Sequence, residues 1–324
     1  MLITVENLTK VYKSYQRGNT FREAVKSLVV RKPVYVHALK GISFHIDRGE
    51  LVGFLGPNGA GKSTTLKILT GILYPSAGKV NIMGYTPWKD RKKYVAKIGA
   101  VFGQKSQLLW DIPPVDAFYL NKAIYSIPER VFKQTMDEMV ELLEVGELIR
   151  KPTRQLSLGE RMKCEFIMAM LHQPEIVFLD EPTIGLDVIA KDKIRQFILE
   201  MNKNGVTFIL TTHDLSDIEH LAQRVIVVNH GERVFDNSLR TLRSRLGEKK
   251  IISVSTLNPL PALTLPGITI TKQISAHNVE LELDMAVCEL NKFIALVNKS
   301  STIRDLAVEE PQIETIIKEL YQEK

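Results

Sequence analysis

A glycine-rich stretch early in the chain has the composition of a phosphate-binding loop. Its consecutive residues are Gly56, Pro57, Asn58, Gly59, Ala60, Gly61, Lys62, Ser63 and Thr64. In the pattern G-x-x-x-x-G-K-[ST], the glycines let the backbone curl so that successive N–H groups point at phosphate oxygens. The pattern predicts that Lys62 reaches the β- and γ-phosphates of a nucleotide, that Ser63 holds Mg²⁺ and that Thr64 contacts phosphate.

The segments on either side of this loop are those that a phosphate site requires. Leu51–Leu55 is a compact apolar strand, and residues 62–73 have the period of a helix. A helix N-terminus favours anions, since its free N–H groups and its dipole both attract negative charge. The order strand, loop, helix therefore favours a phosphate site over a chance glycine-rich turn.

Two acidic residues close a second apolar strand. Residues 176–179 are Ile-Val-Phe-Leu, and Asp180 and Glu181 follow them directly. Carboxylates at the C-terminal edge of a buried parallel strand point into the cleft where such folds bind ligands. Adjacent strand residues point to opposite faces, so one of the two acids could instead be a solvated charge. The following Pro-Thr, after four apolar residues, favours the functional interpretation.

The pentapeptide at 156–160, Leu-Ser-Leu-Gly-Glu, is a segment that a general nucleotide-triphosphate fold does not need. Together with the glycine-rich loop and the Asp-Glu pair, it resembles the signature of the ABC ATPase family. The resemblance implies a P-loop α/β core of ABC type, a helical signature subdomain, and hydrolysis of ATP with Mg²⁺. Leu158 and Glu160 depart from the commoner Leu-Ser-Gly-Gly-Gln, and Glu160 puts an acid near phosphate unless it points away.

The same resemblance implies catalytic roles for residues at the C-terminal ends of three different strands. Asp180 would assist Mg²⁺, and Glu181 would polarise the attacking water. Gln104 follows the apolar residues 99–103 and resembles the glutamine that contacts both Mg²⁺ and that water, with Gln107 as a rival. His213 follows another apolar strand and resembles the histidine that contacts the γ-phosphate; a purely structural histidine is the alternative.

Other residues would complete the nucleotide site in this family pattern. Residues 185–187, Gly-Leu-Asp, resemble the loop that crosses between two nucleotide sites, with Asp187 as its acid. Tyr12 matches the aromatic residue that stacks on adenine. Three residues near an interruption after the first strand could take its place, namely Tyr15, Tyr35 and His37.

The signature residues imply that two chains act together. In the family, Ser157 and Gly159 lie at a helix N-terminus and bind the γ-phosphate that the opposite subunit holds. One chain has one phosphate loop and one signature. The resemblance therefore implies a head-to-tail dimer around two ATP molecules, formed either by two copies of this chain or with a similar ATPase.

The chain is predicted to form two domains. Residues 1–240 would be the nucleotide-binding domain, with an insert at about 13–36 and the helical subdomain at about 105–172. Residues 241–324 alternate in strand fashion at 251–256, 268–274 and 279–283, and have helical patterns at 286–297 and 311–321. This predicts a small α+β accessory domain, which is either a structural cap or a regulatory or dimer-forming element.

Residues 21–29, within the insert, have apolar positions at helical spacing and basic residues elsewhere. They predict a short basic amphipathic helix. It either docks on its own domain or lies against the membrane or a membrane-embedded partner.

Composition limits the class of protein. The net charge of +6 and the pI of about 9.1 come from dispersed basic residues without interleaved aromatics, so we expect no nucleic acid partner. Cys164 and Cys288 have no paired spacing, which fits a reducing compartment. Apolar runs stay below the roughly 18 residues of a membrane span. We expect a peripheral protein at the cytoplasmic face of the cell membrane, where polytopic permease subunits supply the path.

Among ABC proteins, residues 101–111, the basic insert and the tail at 309–314 resemble ATP-binding subunits of bacterial ABC-2-type exporters, close to the sodium-export-like and multidrug groups. A ribosome-acting ABC protein carries tandem domains, and a DNA-acting one is split by a long coiled coil. This chain has one intact domain and no heptad array, which favours a transporter ATPase. Non-transport action on ribosome or DNA, and polysaccharide export, are the alternatives.

Overall fold

The computed structural model describes residues 1–15, 33–103, 105–244, 249–260, 265–311 and 313–322. The chain divides into two compact units, Met1–Asn237 and Ser238–Lys324. The amphipathic helix predicted at 21–29 and the predicted catalytic Gln104 lie outside the described residues.

The first unit is a mixed α/β structure. In chain order, its described strands are β1 (Ile3–Tyr15), β2 (Pro33–Ile46), β3 (Leu51–Leu55), β4 (Ala77–Ile82), β5 (Ile98–Phe102), β6 (Ile176–Asp180), β7 (Thr207–Thr211), β8 (Arg224–Asn229) and β9 (Glu232–Ser238). Its described helices are α1 (Lys62–Leu69), α2 (Arg91–Val95), α3 (Pro114–Tyr125), α4 (Glu129–Leu143), α5 (Leu158–Met170), α6 (Val188–Lys203) and α7 (Leu215–Leu221).

A six-stranded sheet with the order β5-β6-β7-β3-β8-β9 forms the centre of this unit. Strands β5, β6, β7, β3 and β8 run parallel, and every residue of β3 and β7 is buried. Buried parallel strands need apolar residues on both faces, which explains why the sequences of these strands are largely apolar. Asp180 lies opposite Thr211 and Phe102, so the strands bring their carboxyl ends to one edge.

A second sheet has the order β2-β1-β4 and is antiparallel. The alternating pattern at residues 37–46 predicts, from the sequence alone, a continuation of the first strand after an interruption. The segment instead pairs antiparallel with the first strand, from Ile3 opposite Ile46 to Tyr15 opposite Pro33. Alternation along a strand shows which residues are buried but gives no information on pairing direction, which explains the difference.

Residues 115–148 have a helical pattern in the sequence, and in the structure they form two helices, α3 and α4. The break falls at Ser126, whose φ is +53°, and before Pro128, which cannot donate a backbone hydrogen bond. Two short 3₁₀ turns, Leu148–Arg150 and Thr153–Gln155, then lead to α5. None of the helices in the described ranges has the length and apolar character needed to cross a membrane.

The second unit is a small α+β structure. Its described elements are α8 (Leu239–Ser244), β10 (Lys249–Thr256), β11 (Ile268–Gln273), β12 (Asn278–Asp284), α9 (Leu290–Ser300), β13 (Ile303–Glu309) and α10 (Ile313–Gln322). The antiparallel sheet has the order β11-β12-β10-β13. Leu281 of the sheet packs with Phe293 and Val297 of α9 in one core. The sequence did not predict β13.

Candidate nucleotide site

The glycine-rich loop connects β3 to α1 and needs its glycines for steric reasons. A Cβ atom on Gly56 would lie 2.3 Å from the backbone oxygen of Val228. Gly61 has a φ of +110°, and a Cβ there would lie 2.7 Å from the backbone oxygen of Ala38. Neighbouring strands therefore enclose the loop closely, and its curled backbone is accessible only to glycine at these points.

Lys62 is the first residue of α1 and is 6% exposed. Its ammonium group donates hydrogen bonds to the backbone oxygens of Gly56, at 2.6 Å, and Pro57, at 3.2 Å. Burial lowers the pKa of Lys62, whereas the nearby carboxylates of Glu181 and Asp180 act to raise it. The loop thus holds a partly desolvated cation beside the two acids.

Asp180 ends β6 and lies beside the start of α1. Its Oδ1 accepts hydrogen bonds from the hydroxyl groups of Ser63, at 3.2 Å, and Thr211, at 2.5 Å. A carboxylate and a hydroxyl group in one place are hard oxygen ligands of the kind that Mg²⁺ prefers. The donor set at Ser63 and Asp180 therefore fits Mg²⁺. The hydrogen bond from Thr211 to Asp180 was not predicted from the sequence.

Glu181 has a φ of +53°, in the left-handed region that non-glycine residues rarely adopt. Its N–H donates to the backbone oxygen of Thr211 at 2.9 Å, and its Oε1 lies 3.3 Å from Nδ1 of His213. A Cβ on Gly103 would lie 2.2 Å from the backbone oxygen of Glu181. The backbone at Glu181 is therefore tightly packed, and the Glu181 carboxylate lies beside His213.

The signature residues begin α5. Ser157 is the N-cap: its hydroxyl oxygen accepts from the N–H of Glu160 at 3.2 Å, and a Glu160 carboxylate oxygen accepts from the N–H of Ser157 at 2.7 Å. This reciprocal pair is a capping box. The carboxylate of Glu160 is thus turned back onto the backbone. Gly159 allows a close approach to α6, because a Cβ there would lie 2.9 Å from that of Ala190.

Asp187 is the N-cap of α6, and its Oδ1 accepts from the N–H of Ala190 at 2.8 Å. The structure thus gives this carboxylate a capping contact within its own chain. Its predicted contact across a dimer stays a prediction.

The hairpin of β1 and β2 carries the candidates for the adenine contact. Tyr12 lies opposite Val36, is partly exposed, and has the ammonium group of Lys10 5.2 Å from its ring centre. Ala38 lies on β2, two residues after Val36, and its backbone oxygen is close to Gly61. The pair β1 and β2 therefore runs beside the glycine-rich loop. Tyr35 is exposed and His37 lies opposite Val11. The choice among these aromatic residues stays a prediction.

A buried polar network begins at Thr183, two residues after Glu181, and was not predicted from the sequence. The carboxylate of Asp217 accepts hydrogen bonds from the guanidinium group of Arg195, at 2.6 and 2.8 Å, and from the hydroxyl group of Thr183. Asp217 is 0% exposed and lies on α7, whereas Arg195 lies on α6. The network joins the segment after Glu181 to the two helices that follow it.

Comparisons with known proteins identify the family to which the chain is similar. Residues 39–184 match the family described as ABC transporter. The linearmycin resistance ATP-binding protein LnrL of Bacillus subtilis is 28% identical over 86% of this chain and 91% of that protein. The energy-coupling factor transporter ATP-binding protein EcfA of Methanocaldococcus jannaschii is 32% identical over 64% of this chain and 75% of that protein.

Among solved structures, the dimeric, post-hydrolysis ATP-binding cassette MJ0796 bound to ADP and Pi matches with a TM-score of 0.61. It is 27% identical over 74% of this chain and 99% of that chain. The predicted fold class, a P-loop core of ABC type, is confirmed by this similarity. The chain belongs to the ABC transporter family, as an ATP-binding protein that hydrolyses ATP.

Proposed function

We propose that this chain is the ATPase subunit of an exporter, in which two ATP-binding chains close around two ATP molecules and drive separate membrane subunits. The observation that carries the proposal is the meeting of Lys62, Ser63, Asp180, Glu181 and His213 at one sheet edge. In this proposal, Lys62 is the cation that binds phosphate. Ser63 and Asp180 bind the metal, and Glu181 is the catalytic acid residue in contact with His213.

Phosphoryl transfer to water requires mainly positioning and charge stabilisation. In this proposal, Lys62 and the loop N–H groups bind the phosphates, and Ser63 and Asp180 hold Mg²⁺, which neutralises phosphate charge. Glu181 orients the attacking water and accepts its proton. His213 contacts Glu181 through Nδ1, which leaves Nε2 for the γ-phosphate.

The proposed dimer follows from the presence of one phosphate loop and one signature in each chain. The phosphate loop begins α1 and the signature begins α5, and a helix N-terminus that carries a serine and a glycine suits a phosphate held by another chain. The similar cassette MJ0796 is dimeric with ADP and Pi, which supports the same assembly here. Either two copies of this chain or this chain and a similar ATPase would complete both sites.

An exposed apolar patch supports a protein partner. Its residues are Leu109, Trp110, Tyr119, Leu120 and Ile124. Leu120 and Ile124 lie four residues apart on α3, and exposed apolar side chains that share a helix face are characteristic of interaction sites. We propose that this patch contacts a polytopic membrane subunit, which would hold the ATPase at the cytoplasmic face of the membrane.

Export is supported by the similarity to LnrL, whose name refers to antibiotic resistance and whose match extends over 91% of its length. The membrane subunits would select the transported substrate, so the sequence of the ATPase does not identify that substrate.

The test is the variant Glu181→Gln, with Lys62→Ala as its control. We expect Glu181→Gln to bind ATP and form dimers detected by light scattering, without releasing phosphate. Lys62→Ala should stay monomeric with ATP, since it lacks the phosphate contact. Turnover by Glu181→Gln at the original rate would contradict the assignment of the general base. Stimulation of ATP hydrolysis by DNA or ribosomes, without co-purification of a membrane subunit, would contradict the transporter function.

A further inference from the structure

Thr211, the last residue of β7, contacts both acidic residues of the candidate nucleotide site. Its hydroxyl group donates to Oδ1 of Asp180 at 2.5 Å, and its backbone oxygen accepts the N–H of Glu181 at 2.9 Å. Thr211 is 0% exposed, so it is shielded from water. One residue outside the glycine-rich loop and the signature is therefore attached to both acids.

The row of paired residues that contains Asp180 is otherwise apolar. Across the parallel strands β5, β6, β7, β3 and β8, the residues that lie opposite one another are Phe102, Asp180, Thr211, Phe54 and Ile226. Asp180 has two cross-strand neighbours in this row, Phe102 and Thr211. Of these two, Thr211 alone has a side-chain donor for the carboxylate.

The hydroxyl proton of Thr211 has two acceptors within reach, and the carboxylate is the nearer. The backbone oxygen of Leu179 lies 3.4 Å from Oγ1, whereas Oδ1 of Asp180 lies at 2.5 Å. Hydrogen bonds from a hydroxyl group to a carboxylate are about 2.5–2.7 Å long and roughly twice as strong as those between neutral groups. A threonine that served only the sheet could donate to the Leu179 oxygen, so the shorter bond to Asp180 indicates a role at the site.

Ser63 is the other hydroxyl donor to this carboxylate, but metal binding would change its role. Its hydroxyl group donates to the same Oδ1 at 3.2 Å. In the proposed function, the Ser63 oxygen also binds Mg²⁺ and directs a lone pair at the metal. Thr211 is not part of this metal-binding pair, so its hydrogen bond can orient Asp180 whether or not the metal is bound.

We propose that the hydroxyl group of Thr211 is a positioning group for metal binding, which holds the Asp180 carboxylate so that Asp180 and Ser63 bind the Mg²⁺ that accompanies ATP. The inference rests on the proposed function, because it needs Mg²⁺ at this pair. It adds a residue that acts through Asp180 rather than on the metal itself. Hydrogen-bond partners of metal ligands orient those ligands, and their loss typically lowers metal affinity about 10–100-fold.

The experiment measures how much Mg²⁺ tightens the binding of a non-hydrolysable ATP analogue to the full chain. For each variant, the Kd of a fluorescent analogue is measured with Mg²⁺ and again with excess EDTA. The readout is the metal-free Kd divided by the Kd with Mg²⁺, because a general loss of nucleotide binding changes both values and cancels in this ratio.

The test variant is Thr211→Val, which keeps the shape of the side chain, and the backbone oxygen that accepts from Glu181, but removes the hydroxyl donor. We expect the ratio to fall about tenfold, with the metal-free Kd unchanged. Thr211→Ser keeps a hydroxyl group, so its ratio should equal that of the wild type.

Thr207→Val is the matched control. Thr207 is also 0% exposed and lies on β7, but at the opposite end of the strand, where its hydroxyl oxygen accepts the N–H of Gly49 at 2.8 Å. Its substitution removes a buried hydroxyl group that has no contact with Asp180, and should leave the ratio at the wild-type value.

If Mg²⁺ tightens binding to the wild type and to Thr211→Val by the same factor, the proposal is wrong. A ratio for Thr211→Ser as low as that of Thr211→Val would also contradict it, since the hydroxyl group would not be responsible. If Mg²⁺ leaves the Kd of the wild type unchanged, the metal-binding pair of Ser63 and Asp180 in the proposed function itself fails. Should Thr211→Val not fold, Thr211→Ala, which also lacks the hydroxyl group, decides the result.

Discussion

The buried carboxylate of Glu165 accepts a hydrogen bond from the hydroxyl group of Ser106, which lies 59 positions earlier in the chain. The same carboxylate accepts from the N–H of Gln107 at 2.9 Å and from that of Leu108 at 3.4 Å. Glu165 is 3% exposed and lies on α5, the helix that begins with the signature. One side chain thus attaches the segment after Gln104 to the signature helix.

The first prediction concerns this attachment. Glu165→Ala leaves the N–H groups of Gln107 and Leu108 without their acceptor, so we expect it to lower the free energy of unfolding by about 1–3 kcal/mol. Glu165→Gln keeps a carbonyl oxygen and removes the buried charge, so it should be close to neutral. Urea denaturation measures both. Glu141→Ala, at an exposed position on α4, is the control and should change stability by less than about 0.5 kcal/mol.

Glu165 also predicts a pH dependence. Burial raises the pKa of Glu165 above its ordinary value of 4.5, although hydrogen bonds from Ser106, Gln107 and Leu108 act to lower it. A raised pKa in the folded state means that this group stabilises most at low pH, and that the contribution is lost as pH rises through the folded value. Glu165→Gln has no carboxyl group to titrate at this position, so its stability does not fall for this reason as pH rises. The stability of Glu165→Gln relative to the wild type should therefore increase as pH rises above about 4.5; a constant difference would contradict the raised pKa.

The second prediction concerns the buried pair of Arg195 and Asp217. Asp217→Asn leaves the guanidinium group of Arg195 without its buried counter-charge, so we expect a loss of about 3–5 kcal/mol in unfolding free energy. Asp192→Asn removes the other, exposed carboxylate beside Arg195, 3.3 Å away, and should cost less than about 1 kcal/mol. Equal effects of the two substitutions in thermal or urea denaturation would argue against a buried pair.

The elements of the site could be predicted from the sequence because their signals are local. The apolar strands β3, β6 and β7, and the loop ending at Lys62, are visible as short runs of characteristic residues. The partners of Glu165 and Asp217 could not be predicted, since each joins residues distant in the chain and a single acid in a helical pattern resembles a solvated charge. The Ser157 and Glu160 pair was predictable, because Ser-x-x-Glu before a helix is the capping-box pattern.

The third prediction concerns Gly103. A Cβ there would lie 2.2 Å from the backbone oxygen of Glu181, so Gly103→Ala must shift the backbone that aims this acid. We expect kcat for ATP hydrolysis to fall at least about tenfold, which corresponds to about 1.4 kcal/mol in the barrier, with ATP binding retained. Gly146→Ala is the control, because the nearest atom to its added Cβ is a side-chain carbon at 3.8 Å. Full activity of Gly103→Ala would mean that the position of Glu181 does not limit the reaction.

The last prediction concerns the acid in the signature. Glu160 accepts the N–H of Ser157 at 2.7 Å, so it serves the helix N-terminus, yet it remains a negative charge beside the place where a partner's γ-phosphate would bind. Glu160→Gln keeps an oxygen for the capping box and removes the charge. We therefore expect unchanged thermal stability and ATP-dependent dimers, formed in a Glu181→Gln background, that are up to about fivefold tighter, as for a change of about 1 kcal/mol. Glu160→Ala loses the charge and the hydrogen bond from the N–H of Ser157, although the Ser157 cap on the backbone N–H of residue 160 remains, so it should lower stability by about 1 kcal/mol. Equal dimer affinities for Glu160→Gln and the parent would show that the charge is directed away from the phosphate and that Glu160 serves the cap alone.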